Sequence, residues 1–145
     1  MAYHLTLDTN IILDILQKRE PWHNAAEKIL RLASREKVKL AITTNTVTDI
    51  YYIINRKNAK LNAREAIARF AVLMDLISVD KNDCIKALTS KIDDYEDALL
   101  SVCAAKAKSD YIVTRNTKDF VNSKVPPITP DDFLNAIYAD NSSIP

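Results

Sequence analysis

Acidic side chains recur at four places along this 145-residue chain, in an order that could bring them together for metal chemistry. Two of the places directly follow apolar stretches typical of strands, and the other two lie in helical patterns. They are residues 7–10, Asp49, residues 94–97 and residues 114–120. Carboxylates that converge repel one another, so they require a cation or shared protons between them. The pattern therefore predicts a site for a hard divalent cation and a reaction that such a cation assists.

Each acid taken alone also has a simpler interpretation. Asp8 stands between a strand and a helix, where an aspartate commonly caps the helix. Asp49 lies nearly opposite an apolar helical face, which favours a solvent-exposed position. Asp14 is interpreted either as a residue that supports the site from behind its metal ligands or, more simply, as a residue of a polar helix face. The acids of residues 94–97 would complement a helix dipole, and the Asn and Asp of residues 114–120 are frequent turn formers. The order and placement of all four places together carry the hypothesis.

The composition argues against several classes of protein. Because the chain has no glycine, neither a Walker loop nor a GxGxxG dinucleotide loop can form, which argues against a nucleotide cofactor. Without glycine, we expect Asn and Asp to supply turn positions with positive φ, for example around Asn55, Asn58 and Asn82. The formal net charge is only +1, so a polyanion would have to be held by a local patch of cations.

The length and the cysteines indicate one soluble domain. Hydrophobic residues make up 48% of the chain, and no apolar run reaches the ~20 residues of a membrane span. Cys84 and Cys103 are far apart in the sequence, which favours free thiols in a reducing compartment. We expect a cytoplasmic protein that does not contact a membrane, with one domain over residues 1–139 and a frayed tail over residues 140–145.

Strands and helices are predicted to alternate along the chain. The predicted strands are residues 4–7, 37–42, 75–79 and 111–114, with a possible short edge strand within residues 125–129. This alternation predicts a three-layer α/β/α sandwich with a mainly parallel sheet of four to five strands. Ligands of such sheets bind at the carboxyl ends of the strands. If the first and fourth strands are neighbours, Asp8 and the polar residues after the fourth strand share one crevice.

Three segments carry a recognisable pattern. They are Leu-Asp-Thr-Asn-Ile-Ile-Leu-Asp at 7–14, Asp-Tyr-Glu-Asp-Ala-Leu at 94–99 and Ile-Val-Thr-Arg-Asn-Thr-Lys-Asp-Phe at 112–120. In this order and spacing they resemble the motifs of PIN-domain nucleases, the fold of the VapC-type toxins of prokaryotic toxin–antitoxin pairs. The resemblance implies a PIN-like fold and a Mg²⁺- or Mn²⁺-dependent endoribonuclease whose products carry 5′-phosphate and 3′-hydroxyl ends.

The resemblance also implies roles for individual residues. The implied catalytic acids are Asp8, Asp49, Asp97 and Asp119, and the implied metal ligands are Asp8, Asp97, Asp119 and Asn116. The implied supporting residues are Asn10, Thr114, Glu96 and Asp94. Asp49 stands where the family more often has Glu, and its side chain is one methylene shorter. Asn116 stands where many relatives have Asp, so the fourth acidic position is shared between Asn116 and Asp119.

Cations near these places are candidates for holding RNA. Arg56 and Lys57 lie in a predicted connector over residues 55–62, whereas Arg115 and Lys118 flank the acids after the fourth strand. Such charges are usually part of a solvated surface, and that interpretation stays open for the connector. Tyr52 and Trp22 are aromatic side chains that could stack on bases.

The predicted partners are RNA, a second copy of the chain and an antitoxin protein that would block the acidic crevice. Two alternatives remain open at this level. One is a PIN-like scaffold that binds RNA or a protein with a weakened metal site, which Asp49 and Asn116 favour. The other is a nuclease of RNA processing rather than a toxin. A receiver-like phosphotransfer domain matches the acid pattern poorly.

Overall fold

The strands form a parallel sheet. The computed structural model describes residues 2–57 and 62–141. The strands within these residues are β1 (Tyr3–Leu7), β2 (Val38–Thr43), β3 (Met74–Ile77), β4 (Tyr111–Val113) and β5 (Pro127–Ile128). Every neighbouring pair is parallel, and the order across the sheet is β3-β2-β1-β4-β5. The predicted short edge strand is therefore present, as β5.

Helices cover both faces of this sheet. Those in the described part of the chain are α1 (Thr9–Leu16), α2 (His23–Ser34), α3 (Thr44–Lys57), α4 (Ala63–Leu73), α5 (Lys81–Leu88), α6 (Tyr95–Lys106) and α7 (Pro130–Asn141), with a 3₁₀ turn at Thr117–Phe120. One apolar core joins the sheet to α1, α2, α3, α4 and α7, and a second joins it to α5, α6 and the 3₁₀ turn. The predicted three-layer α/β/α sandwich is confirmed.

Strand β4 explains why the two cores lie on opposite faces. Ile112 and Val113 are adjacent in sequence and both are fully buried, yet Ile112 belongs to the core around α6 and Val113 to the core around α1 and α2. Successive side chains of a strand point to opposite faces. A strand covered by helices on both faces therefore reads as an unbroken apolar run.

The topology reverses direction between β1 and β4. From β1 the chain continues to β2 and β3 on one side, and β4 then pairs with the other side of β1. The amide of Asp8 donates a 3.0 Å hydrogen bond to the carbonyl of Val113, which holds the two strand ends together. The predicted neighbourhood of the first and fourth strands is confirmed, and crevices of this kind bind ligands in open α/β sheets.

Helix α6 is held at both ends. At its start, the carboxylate of Asp94 accepts a 3.0 Å hydrogen bond from the amide of Asp97. At its end, the Nζ of Lys106 donates to the carbonyl of Ser78 and to the buried carboxylate of Asp83. The Lys106 contacts tie the end of α6 to α5 and to the residue that follows β3, and the Asp94 cap defines where α6 begins.

Some boundaries differ from those predicted. Helix α3 continues to Lys57, so the first three residues of the predicted connector over residues 55–62 are helical. Asn62 caps α4 by accepting a 3.1 Å hydrogen bond from the amide of Glu65, and residues 58–61 lie outside the described residues. The backbone of α7 reaches Asn141, and the rest of the predicted frayed tail lies outside the described part of the chain. No helix among the described residues is long and apolar enough to cross a membrane.

The prediction for positive-φ positions is wrong where it can be compared. Asn55 and Asn82 lie inside α3 and α5, and Asn58 lies outside the described residues. The described residues with positive φ instead follow three helix ends, where they are Lys18, Glu36 and Lys108, with φ of 48°, 60° and 58°. The amides of these residues and of those after them bond back to the last helical turn, in the pattern that glycine usually completes. These backbone hydrogen bonds therefore fix the positive φ at Lys18, Glu36 and Lys108, although none of the three residues is glycine.

Replacing Glu36 with glycine should therefore stabilise the protein. A Cβ in the left-handed region costs about 1 kcal/mol, and glycine removes that cost. We expect Glu36→Gly to raise the free energy of unfolding by about 1 kcal/mol in urea denaturation. Glu36→Ala is the matched control, because it removes the same exposed charge but keeps the Cβ. An equal gain in both variants would contradict the backbone explanation.

Candidate active site

A cleft of about 360 Å³ opens at the carboxyl ends of β1 and β4. It is bounded by the start of α1, by α3, by the first turn of α6 and by the segment after β4. Every acid predicted for the site lines this cleft: Asp8, Asp49, Asp94, Glu96, Asp97 and Asp119. Asn10 and Asn116, two further predicted site residues, line it as well. The four places that are distant in the sequence thus meet in one cleft.

Asp8 occupies the position of a helix cap but does not act as one. It precedes α1 in an extended conformation (φ −68°, ψ 148°), and its side chain makes no capping hydrogen bond. Instead, the buried hydroxyl of Thr114 donates a 2.9 Å hydrogen bond to Oδ2 of Asp8, and this hydroxyl accepts a 3.0 Å hydrogen bond from the amide of Asn116. Burial raises the pKa of Asp8, and the Thr114 hydrogen bond opposes that rise. The simpler interpretation of Asp8 as a cap is therefore wrong.

Asp97 is the acid most affected by its surroundings. Burial, together with the charges of Asp94, Asp8, Asp119 and Glu96, raises its pKa to about 7. Burial disfavours the charged form, and nearby like charges disfavour it further. The carboxylates of three separate segments therefore act on one another across the cleft.

Asp49 and Glu96 form a second acidic pair. The charge of Asp49 is the largest of the causes that raise the pKa of Glu96, and burial raises the pKa of Asp49 itself. Asp49 is half-buried against the cleft. The helical periodicity placed it correctly away from the apolar core, but the inference that it faces bulk solvent is wrong. On a helix beside a cleft, the polar face can line the site.

Asp119 and Asn116 come from the segment that follows β4. The amide of Asp119 donates a 3.1 Å hydrogen bond to the carbonyl of Asn116, which begins the 3₁₀ turn. Both side chains line the cleft, and the charge of Asp119 contributes to the raised pKa values of Asp8 and Asp97. Asp119 thus lies close enough to both acids to act on them electrostatically.

The donor set of the cleft suits a hard divalent cation. As placed, no three His, Cys, Asp or Glu side chains among the described residues are gathered closely enough to bind one ion together. However, the side chains that line the cleft offer carboxylate, amide and hydroxyl oxygens, and none of these lining residues is Lys or Arg. Mg²⁺ prefers oxygen ligands and keeps several waters, so it needs few direct protein ligands. Burial and repulsion together raise the pKa of Asp97 to about 7, and a cation in this cleft would relieve the repulsion.

One wall of the cleft carries hydroxyl groups that the sequence patterns did not single out as site residues. The Oγ1 atoms of Thr9 and Thr46 lie 3.2 Å apart, and those of Thr43 and Thr46 lie 3.1 Å apart. Thr43 also caps α3, since its hydroxyl accepts a 3.1 Å hydrogen bond from the amide of Thr46. The contribution of these three threonines to the cleft depends on the pairing of β1 with β2.

Arg115 forms an ion pair with the buried carboxylate of Asp14. Its Nη2 donates a 3.3 Å hydrogen bond to Oδ1 of Asp14, and its Nε lies 2.9 Å from Oδ2 in an ion pair without hydrogen-bond alignment. The other side of its guanidinium covers the ring of Trp22, with Cζ 3.9 Å from the ring centroid. Asp14 is fully buried, so its simpler interpretation as a residue of a polar helix face is wrong, and its role in supporting the site stays a prediction. These contacts link α1 and the start of α2 to the segment that carries Asn116.

The other cations predicted to bind RNA are Lys118, Arg56 and Lys57. Lys118 is exposed on the 3₁₀ turn. Arg56 is exposed on α3, and its Cζ lies 5.7 Å from the centroid of the Tyr52 ring. The backbone of Lys57 ends α3, and its side chain lies outside the described residues. An RNA contact by any of the four cations stays a prediction.

The sequence matches a known domain family. A sequence model of the PIN domain matches residues 4–118 of this chain. The chain is also 25% identical over 132 residues to Ribonuclease VapC1 of Aquifex aeolicus (strain VF5), an alignment that covers 88% of this chain and 90% of that protein.

Solved structures share the fold. A chain of VapBC2 from Rickettsia felis, bound to a DNA fragment from their promoter, superposes with a TM-score of 0.70 at 17% identity, covering 87% of this chain and 98% of that one. A chain of a toxin–antitoxin complex from Klebsiella pneumoniae superposes with a TM-score of 0.65 at 21% identity, covering 87% of this chain and 97% of that one. At these identities the likeness concerns the fold.

The buried pair of Asp14 and Arg115 should contribute to stability. Removing one partner of a buried ion pair leaves the other charge without compensation, which typically costs ~3–5 kcal/mol. Because Arg115 retains some exposure, we expect Asp14→Asn to cost about 3 kcal/mol in chemical denaturation. Arg19→Gln is the control, since the Nη1 of Arg19 lies 3.8 Å from Asp14 and its side chain is more exposed; it should cost less than about 1 kcal/mol. Equal losses in the two variants would contradict this account.

Proposed function

The chain belongs to the PIN domain family, and on that premise we propose that it is a divalent-metal-dependent endoribonuclease of the VapC kind. One observation carries the proposal: acids from distant segments share a cleft without lining cations, and together with burial they raise the pKa of Asp97 to about 7. The similarity to a protein named as a ribonuclease supports RNA as the substrate. The reaction would be hydrolysis of phosphodiester bonds.

Asp8 and Asp97 would hold the metal ion directly, with Asp119 and Asn116 beside them. A bound Mg²⁺ or Mn²⁺ would lower the pKa of a water and stabilise charge on the phosphate that is attacked. Thr114 would fix the direction of the Asp8 carboxylate, because its hydroxyl donates to Oδ2 and receives the Asn116 amide. These two hydrogen bonds would hold Asp8, which follows β1, and Asn116, which follows β4, together beside the reacting phosphate.

The pair of Asp49 and Glu96 would serve in proton transfer. The charge of Asp49 raises the pKa of Glu96, and a carboxylate with a raised pKa is a stronger base nearer to neutral pH. Either carboxylate could take the proton of the attacking water at its oxygen atoms. Asn10 would contribute an amide to the same wall of the cleft, where the hydroxyls of Thr9 and Thr46 also lie.

The biological role that we propose is the toxin of a toxin–antitoxin pair in the cytoplasm. The solved structures with this fold include toxin–antitoxin assemblies, which supports an antitoxin as the partner that closes the cleft. A homodimer is proposed on the family resemblance. Arg56 and Lys118 are the exposed cations that we propose for contacts with the RNA backbone beside the cleft.

A second candidate function is a PIN-like scaffold that binds RNA or protein without cleaving. The observation that favours it is the spread of the acids, since no three of the described metal-binding side chains are gathered around one point. Asp49 and Asn116, which depart from the usual family residues, favour it as well. A scaffold would bind its partner but would leave RNA intact at any concentration of Mn²⁺.

Asp8→Asn and Asp97→Asn should each reduce cleavage of RNA in the presence of Mn²⁺ to the background rate. Both changes remove a metal-binding charge but keep the size of the side chain. Asp93→Asn is the matched control, because Asp93 is an exposed acid next to the cleft that does not line it, and this variant should cleave like the native chain. Circular dichroism checks that all three variants fold. Undiminished cleavage by either cleft variant would refute the proposed site.

A further inference from the structure

One face of α3 extends from the cleft to the protein surface. Asn45, Asp49 and Ile53 line the cleft at intervals of four residues, so they lie on one face of the helix. Tyr52 and Arg56 follow Asp49 by three and seven residues and therefore lie along the same face. At ~1.5 Å of rise per residue, they lie about 4.5 Å and about 10 Å further along the helix axis than Asp49. The face is thus acidic where it lines the cleft, and it is aromatic and cationic at Tyr52 and Arg56, which lie beside the lining.

Packing does not account for Tyr52. Its side chain is 64% exposed, whereas the core face of α3 is supplied by Ile50 and Ile54. The guanidinium of Arg56 lies 5.7 Å from the centroid of the Tyr52 ring, within the range of a cation–π contact. Such a contact orients the ring and keeps a positive charge beside it, while most of the ring stays accessible to solvent.

Other exposed aromatic side chains have different surroundings. The ring of Trp22 is covered by the guanidinium of Arg115. The hydroxyl of Tyr95 donates a 2.9 Å hydrogen bond to the carbonyl of Cys84, which ties it to α5. Tyr138 is exposed on α7, a helix that contributes no lining residue to the cleft, whereas α3 contributes several. Tyr52 therefore combines exposure, a cationic neighbour and a position next to the acidic cleft.

We propose that Tyr52 and Arg56 form a stacking subsite for one unpaired base of the RNA, next to the phosphate that is cleaved; this inference rests on the proposed ribonuclease activity. The lining of the cleft carries no Lys or Arg, so the polyanionic strand needs cations at its border, and Arg56 supplies one. Exposed aromatic rings with a nearby guanidinium bind bases of single strands by stacking. The bases of a duplex are already stacked on each other, so the subsite selects RNA that is single-stranded where it is cut.

Binding of a short single-stranded oligoribonucleotide that contains 2-aminopurine tests this subsite, with the protein in chelator so that the probe stays intact. We expect Tyr52→Ala to weaken binding by about 5- to 100-fold and to abolish the quenching of 2-aminopurine fluorescence. Tyr52→Phe keeps the ring and should bind like the native chain. Arg56→Gln should weaken binding and reduce its dependence on salt. The matched controls are Tyr138→Ala and Arg31→Gln, which change exposed side chains away from the cleft.

Cleavage kinetics separate this inference from the proposed function. With Mn²⁺, Tyr52→Ala should raise KM for the single strand and leave kcat within a few-fold of the native value, and the same sequence in a duplex should be cut poorly by all variants. If the native chain cleaves and Tyr52→Ala has an unchanged KM, the subsite is refuted while the nuclease stands. If the native chain neither binds nor cuts RNA, the proposed ribonuclease function is refuted, and the subsite that rests on it is refuted with it. Loss of binding in Tyr52→Phe equal to that in Tyr52→Ala would also refute stacking.

Discussion

Repulsion among carboxylates is the constraint on which the site depends. The folded chain holds Asp8, Asp97 and Asp119 within electrostatic reach of one another, although burial and like charge both oppose the ionisation of Asp8 and Asp97. The rest of the fold supplies the restraint. The end of β1 is hydrogen-bonded to β4. The carboxylate of Asp94 caps the start of α6, and Lys106 ties the end of α6 to Asp83 of α5. A frame of this kind keeps the charges together, and we propose that a divalent cation compensates them.

A second restraint acts on the segment after β4. Arg115 lies between the buried carboxylate of Asp14 and the ring of Trp22, and it directly precedes Asn116 in the chain. The amide of Asn116 donates to Thr114, whose hydroxyl in turn donates to Asp8. The contacts of Arg115 thus place the segment from which the site receives its fourth set of donors. Arg115 therefore supports the frame, whereas we propose Arg56 for contact with RNA.

The sequence predicts the layers, the parallel sheet and the meeting of the acids, because these follow from local periodicity and from the rule that ligands bind at the carboxyl ends of parallel strands. Periodicity fails at Asp14 and Asp49, since it divides a helix into a core face and a solvent face and cannot represent a polar face that packs against another segment. The threonine hydroxyls that meet at one wall of the cleft, and the contacts of Arg115 with Asp14 and Trp22, depend on residues that are distant in the sequence. The positive-φ positions were missed because backbone hydrogen bonds at helix ends, not residue preference, select them.

Calorimetric titration of the native chain with Mn²⁺ on both sides of the Asp97 pKa of about 7 tests the central claim directly. Below that pH, Asp97 holds a proton that the metal must displace, and above it the carboxylate is free. Affinity should therefore rise about tenfold per pH unit up to the pKa and then level off, with proton release in the acidic range. Asp97→Asn should bind weakly and without this pH dependence. Absence of binding, or an affinity of the native chain that does not change with pH, would contradict a cation site held by these carboxylates.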